Sequence, residues 1–460
     1  MKPKPFDAVH DPSSKRPGKH GLPTLLLGLA VLGVVTLACL GAIVHFTAIG
    51  VIASRSESVK KIIPLLTERP IYNQITFVGN DDNLWLVSPD GAELRRVTKD
   101  GKGYHFPTWA PDGRHLAFLG PDEQDNPALY VTPAKEIAPT ILFNKSDSIP
   151  FYLYWSPDSK TITFLTREAS GMAMRQADTY APDDQRLLGE GSPFYWAWSP
   201  DGDKLLTHVG GSRALSEEAH ISVLENQNDV SRIELNLAPG RFQAPVWSSD
   251  GSHFFYVAAN GKGNESIYKT NADTLEQEIV TKLSGFSYMT LSPDGEHIAY
   301  MQIENDDRSP FGTAYLINTD GTGHQLLRDK KVASMYWSPD GDKLALLTFS
   351  EKTEGPTAKI DGLAAPLAQK AFLRWWIYHV ETDKLEPLIT FSPTLDFLQT
   401  VPFFDQYHHS LTFWSPDSRY FVVTKAKPGG REGDIWVMDI VGQEDPLQIG
   451  EGRLAVWSWR

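Results

Sequence analysis

The pentapeptide Trp-Ser-Pro-Asp-Gly stands at Trp198 to Gly202 and again at Trp337 to Gly341, and relatives of it run down most of the 460-residue chain. They are WAPDG at Trp109, WSPDS at Trp155, WSSDG at Trp247, LSPDG at Leu291 and WSPDS at Trp414, with a partial copy, VWSW, around Trp457. Successive spacings of 46, 43, 49, 44, 46, 77 and 43 residues equal, in all but one interval, the length of a four-stranded propeller blade. A repeat unit of this size cannot bury its apolar face alone, so the whole array must form one body.

The letters describe a hairpin. Ser, Pro, Asp and Gly in that order meet the preferences of a type I turn, with Gly free to take the left-handed conformation that closes a bulged hairpin. After nearly every turn comes a short β-branched and aromatic run: HLAFLG, TITFLT, KLLTHV, HFFYVA, HIAYMQ, KLALLT, YFVVTK. Such runs suit a strand packed between neighbouring sheets. A third strand follows in ALYVT, SIYKT, TAYLINTDG and DIWVMDI, and a weaker fourth in TILF, RIELN and LEPLIT. The pentapeptide therefore punctuates the first and second strands of each unit. Its Trp is expected between adjacent blades and its Asp on turn amides, both architectural roles.

The ends complete the pattern. QITFVG, NLWLVS and ELRRVT precede the first Trp as second, third and fourth strands without a first, and the terminal RLAVWSW is a first strand without followers. Joined, they close a ring and hide its edges. The expected fold is an all-β, eight-bladed β-propeller closed by its N- and C-terminal strands, over residues 72–460. Seven blades result if the terminal copy docks outside the ring.

Ahead of the repeat, Gly21 to Ala53 contain no Asp, Glu, Lys or Arg, and Thr24 to Val44 are long enough to cross a bilayer as one helix. The run is too long for a cleaved signal peptide. Cys39 sits in a poor match to a lipoprotein box. Lys2, Lys4, Lys15, Arg16 and Lys19 before the span, against Arg55, Lys60 and Lys61 after it, favour a cytoplasmic N-terminus of about 20 residues. A linker at 54–71 then leads to an extracytoplasmic propeller. The one cysteine lies within the span, so the remainder is free of disulfides. Beyond residue 53 there are 38 basic and 55 acidic residues, a balance that disfavours nucleic acid as a partner and fits a solvated acidic exterior.

The unit WSPDGxxLAF, followed by a third strand such as IWVMD, resembles the TolB-type β-propeller repeat, which also builds the propellers of tricorn protease and of the prolyl oligopeptidase and dipeptidyl peptidase families. The resemblance covers roughly Tyr72 to Arg460 and implies the fold and a protein-binding habit. TolB acts in a periplasmic system that links the inner membrane to a peptidoglycan-associated lipoprotein. This chain departs from it in its apolar N-terminal span, its larger number of repeats and the absence of room for a preceding α/β domain. The peptidase relatives carry a serine hydrolase domain; here no Gly-x-Ser-x-Gly elbow occurs.

Strand alternation puts the SPDG turns on one face, and the second-to-third loops and blade-to-blade connections on the other. The 77-residue interval holds two insertions on that second face: Ser350 to Lys370, and Phe391 to His409. The latter carries Phe391, Phe397, Phe403, Phe404 and Tyr407, then His408 and His409, too apolar for an ordinary loop. It is expected to fold back as a lid, to meet a partner or to be a disordered insertion, and these seven residues are the candidate binding set. Acidic loops at Pro121 to Pro127, Ser216 to Glu218 and Glu304 to Arg308 share the face without a calcium-ligand spacing. His408, His409 and the more distant His105 make a poor transition-metal set, since adjacent histidines usually point apart. No metal, cofactor or catalytic set is read from the sequence.

The functional expectation is a membrane-anchored scaffold that binds an unknown protein, envelope component or ligand through its loop face. The alternative is a non-covalent hydrolase or lyase with a carboxylate or metal site at the propeller mouth. A structural subunit of a membrane complex is a third reading.

Overall fold

Each SPDG turn carries the same hydrogen bonds. At Ser199 the hydroxyl donates to Asp201 Oδ1 at 2.5 Å and accepts the Lys204 N–H at 2.9 Å, while Asp201 Oδ1 also takes the Asp203 N–H at 3.0 Å. The Ser–Asp pair recurs at Ser156–Asp158, Ser248–Asp250, Ser338–Asp340 and Ser415–Asp417. The last turn residue has positive φ throughout: Gly202 at 78°, Gly251 at 71°, Gly295 at 78° and Gly341 at 77°. Ser159 and Ser418 replace that glycine in the two WSPDS copies at 62° and 58°. Both compensate for the strained position with a bond across units. Ser159 Oγ accepts the Asp112 N–H of the preceding turn at 2.9 Å, and Ser418 Oγ accepts the Asp340 N–H at 3.0 Å.

The computed structural model describes residues 73–460 except 170, 192–193, 211–218, 227–230, 260–264, 305–310, 351–371 and 429. The apolar span at Thr24 to Val44, the tail and linker around it, and most of the insertion at Ser350 to Lys370 lie outside the described residues, as do Ser216 to Glu218 and most of Glu304 to Arg308. Among the described residues no helix is long and apolar enough to cross a membrane.

These turns join antiparallel strands in sequence order. Trp198 pairs with Leu205 across the turn, and the unit Phe194–Trp198, Lys204–Val209, His220–Glu225, Arg232–Glu234 forms one four-stranded sheet. The same order builds the four-stranded sheets that start at His105–Trp109, Ile149–Trp155 and Val246–Trp247. Elsewhere one unit runs into the next without a break. Gln325–Trp337 pairs through its first half with Gly312–Asn318 and through its second half with Lys343–Phe349, giving a seven-stranded sheet. Leu447–Trp457 likewise pairs with Gly433–Asp439 and then with Ile75–Gly79, giving a six-stranded one.

That last pairing is the closure expected from the two ends of the repeat. Ile75 faces Trp457 and Phe77 faces Ala455, while Ser458 N–H donates to the Gln74 carbonyl at 2.8 Å and Gln74 N–H to Ser458 Oγ at 2.9 Å. Burying backbone groups at both margins removes the edges an open array would offer.

The second strands are buried along nearly their whole length, as in His115–Pro121 and His253–Ala259, because sheets cover both of their faces. The repeat tryptophans lie between neighbouring units, and the indoles of four of them bond backward around the ring. Trp155 Nε1 donates to the Thr108 carbonyl at 3.1 Å, Trp198 Nε1 to Thr163 Oγ1 at 3.2 Å, Trp247 Nε1 to the Ala197 carbonyl at 3.2 Å and Trp414 Nε1 to the Tyr336 carbonyl at 3.1 Å. Each of these four indoles thus buries its area and satisfies its one donor in the unit before it, whereas the Trp109 and Trp337 indole N–H groups have no hydrogen-bond partner among the described residues. The molecule is an all-β propeller of four-stranded units whose first strands adjoin one another around an axis.

The unit headed by Trp414 has a shortened first strand. It is reduced to single bridges, Trp414 with Phe421 and Thr412 with Trp457, because the insertion before it turns inward until Ser410 and Leu411.

Candidate functional site

The innermost strand of a propeller blade has one neighbour only, so its other edge turns backbone N–H and C=O groups toward the axis, where they need partners. Here the partners come from the inter-blade insertion. After Lys384–Phe391, Thr394 caps a short helix, α1 (Leu395–Thr400), its Oγ1 accepting the Phe397 N–H at 3.3 Å. A 3-10 turn (Val401–Phe403) with Pro402 and a single helical turn, α2 (Phe404–Tyr407), follow.

The segment lies across the first strands of successive units and plugs the ring from the loop face. Gln406 bonds both backbone groups of Trp196. Ser410 Oγ donates to the Leu153 carbonyl at 2.9 Å, and Asp405 Oδ2 accepts the Ala244 N–H at 2.8 Å. Side chains thus occupy three consecutive inner edges as another strand would. Tyr152 OH joins the same network, with Gln406 Nε2 at 2.9 Å and Ser410 Oγ at 2.7 Å.

The aromatic side chains complete the seal. Tyr407 stacks on Tyr152 at 5.1 Å and meets Phe106 edge-on at 5.0 Å. Phe404 packs against Tyr288 and Tyr336, and Phe397 against Trp375 and Phe413. Phe391, Phe397 and Phe404 are each at most 3% exposed; burial of each contributes about 1.5–3 kcal/mol. Arg453, at the middle of the closing strand, reaches Asp82 at 2.7 Å and Asp396 of α1 at 3.4 Å, and its carbonyl accepts from Thr394 Oγ1.

Of the seven residues expected to bind a ligand, Phe403 alone is exposed; Phe391, Phe397 and Phe404 are buried, and Tyr407, His408 and His409 half-buried. These six pack, wholly or in part, on the propeller itself. The adjacent histidines do not point apart: their rings lie 3.9 Å from each other, His409 stacks on Tyr154 at 5.2 Å, and His408 Nδ1 faces the Phe404 carbonyl at 3.2 Å. Burial depresses both, His408 to about 4, so they are neutral at physiological pH. His105 is exposed, its Nδ1 against the Gly103 carbonyl.

Asp405, absent from the sequence-based set, is fully buried, and burial pushes its carboxyl up to about 7 against the pull of the Ala244 N–H. Nothing in the local sequence distinguishes it; only the inner-edge geometry does. In the acidic loop Pro121 to Pro127, Asp122 is a structural hub that accepts from the Gln124 and Asn126 amides at 2.8 Å and from Asn144 Nδ2 at 3.0 Å. On the turn face, Asp294, Glu296 and His297 bring ligand-type atoms within 4.8 Å of one another, both carboxylates being exposed.

Comparison with known proteins adds weak likenesses. No family model matches the chain. It is 24% identical over 286 residues to dipeptidyl-peptidase 5 of Porphyromonas gingivalis, covering 58% of this chain and 40% of that protein. It is 40% identical over 57 residues to the Tol-Pal system protein TolB of Alcanivorax borkumensis, covering 12% and 13%. The chain spans less than half the length of these curated relatives. Among solved structures, TolB from Acinetobacter baumannii aligns at 20% identity and a TM-score of 0.35, over 56% of this chain and 65% of that one. Dihydro-heme d1 dehydrogenase NirN in complex with DHE aligns at 12% identity and a TM-score of 0.54, over 84% and 75%, a likeness of fold alone. The chain is a β-propeller whose repeats resemble those of TolB.

Proposed function

We propose that this protein is a membrane-anchored, extracytoplasmic scaffold whose eight-bladed propeller recognises a protein or envelope component on its loop face. The count takes four blades from the four-stranded sheets and two each from the seven- and six-stranded ones. The anchor in this reading is the apolar run Thr24 to Val44, with the short basic tail on the cytoplasmic side.

The observation that carries the reading is the plug. With Gln406, Ser410 and Asp405 bonded to inner edges, the loop-face mouth holds protein rather than an open reaction chamber. The same face keeps exposed aromatics, Phe349 and Phe372 at the two ends of neighbouring strands and Phe403 on the plug, at 39%, 44% and 43% exposure. Aromatic side chains on a rigid rim are the usual anchors of protein recognition.

The test is recovery of bound proteins from native membranes with the full chain, comparing wild type with a Phe349→Asp, Phe403→Asp variant. A partner retained by the first and lost from the second supports the reading; no specific partner, or equal retention, counts against it. The rival reading, a non-covalent hydrolase or lyase, draws on the raised carboxyl of Asp405. Turnover of a glycan or peptide panel by the same preparation, abolished by Asp405→Asn, would favour it.

A further inference from the structure

We propose that Asp405 anchors a site for a singly charged cation on the propeller axis, formed between the plug and the first strands it covers. Asp405 has no exposed surface, and only one of its oxygens is used: Oδ2 takes the Ala244 N–H, while Oδ1 has no hydrogen-bond partner among the described residues. The groups that act on its carboxyl are backbone amides, at Ala244, Asp405 and Gln406, with no cationic side chain among them. A buried carboxylate oxygen without a partner is costly, and native interiors rarely leave one so.

The surroundings supply lone pairs and ring faces. Tyr195, Tyr288 and Tyr336 come from the first strands of three units, and the charge of Asp405 acts on each of their phenols. Tyr336 is 3% exposed and its hydroxyl also lacks a hydrogen-bond partner. Phe404 is set against the rings of Tyr288 and Tyr336 at 5.8 and 6.5 Å.

One carboxylate among phenols and aromatic faces selects the class of guest. Calcium takes six to eight oxygens, commonly from several carboxylates, and zinc takes nitrogen or sulfur with tetrahedral geometry; among the described residues neither donor set is assembled around Asp405. A single negative charge is balanced by a single positive one, and phenol rings add cation–π attraction for an ammonium group. The shared chemistry is therefore a monovalent cation, either a bare alkali ion or an amine head group. Its binding would hold Asp405 ionised, against the burial that otherwise raises its carboxyl to about 7.

The experiment measures thermal unfolding of the full chain at pH 8, titrating potassium, sodium, ammonium or tetramethylammonium chloride against N-methylglucamine chloride at constant ionic strength. The proposal expects a saturable rise in Tm with at least one of the four, lost in Asp405→Asn, which keeps an acceptor for the Ala244 N–H. The alkali and ammonium arms distinguish the two sources of the charge. Tyr336→Phe, which removes one hydroxyl, is expected to raise the half-saturating concentration about threefold to tenfold. Equal Tm in all salts overturns the proposal, as does an undiminished rise in Asp405→Asn. Where Asp405→Asn does not fold, an unshifted half-saturation in Tyr336→Phe overturns it equally.

Discussion

Gln406 holds Trp196 by both of its backbone groups: Oε1 accepts the Trp196 N–H at 3.1 Å, and Nε2 donates to the Trp196 carbonyl at 3.0 Å. A single side chain thereby stands in for a strand on the inner edge of its sheet, 210 residues away in sequence. Gln406→Ala leaves both groups buried and unmatched, at a cost of about 1–3 kcal/mol for each group left unsatisfied. The expected outcome is a lower midpoint in urea denaturation and earlier proteolytic cleavage within 395–410, with the tryptophan-packed units still folded.

Asp405 gives the fold a pH dependence of definite sign. Its folded carboxyl titrates near 7, above the ordinary 3.8, so folding takes up a proton. The stabilisation is fully present below pH 3.8 and is lost as pH rises through 7. The range is on the order of 4 kcal/mol. His208 and His408, both depressed to about 4 by burial, act oppositely: their stabilisation is present above 6.5 and lost as pH falls toward 4. The difference in unfolding free energy between wild type and Asp405→Asn cancels the histidines. It should decline from pH 4 to pH 8 at the expense of the wild type.

The two serines that replace turn glycines offer a test of strain against hydrogen bonding. Ser159→Ala keeps the positive φ and deletes the acceptor of the Asp112 N–H, so it should destabilise by about 1–2 kcal/mol. Ser159→Gly loses the same bond but relieves the left-handed conformation, and should cost measurably less. Chemical denaturation of both variants checks the order.

Removal of residues 454–460 takes away the strand portion that pairs with Ile75 to Val78. The shortened chain should expose two unpaired margins and self-associate, seen as a shift to high mass in size-exclusion chromatography. Trp457→Ala, which keeps the backbone pairing but loses the indole bond to Asn73, should keep the wild-type elution volume with a lower Tm.

The ring was legible in the sequence because its information is local and repeated. Ser199, Asp201 and Gly202 specify one turn by their own side chains, and the motif rewrites them at a fixed period. The closure was legible because Ile75–Gly79 lacks a first strand and Leu454 to Trp457 lacks a second. The insertion announced itself by its phenylalanines, but its orientation did not follow from them. That was set by Gln406, Asp405 and Ser410, polar residues of no motif, whose partners lie from 161 to 257 residues away on strand edges that composition does not reveal. The same distance explains His408 and His409: packing against Tyr154, not their adjacency, decides how their rings lie.

Arg453 belongs at once to the strand that seals the circle and, through Thr394 and Asp396, to the base of the plug. Latch and stopper therefore share one fastening. A pull that lifts the stopper loads the latch, and a chain whose latch has slipped loses the stopper with it, so mechanical opening of either should occur as one event.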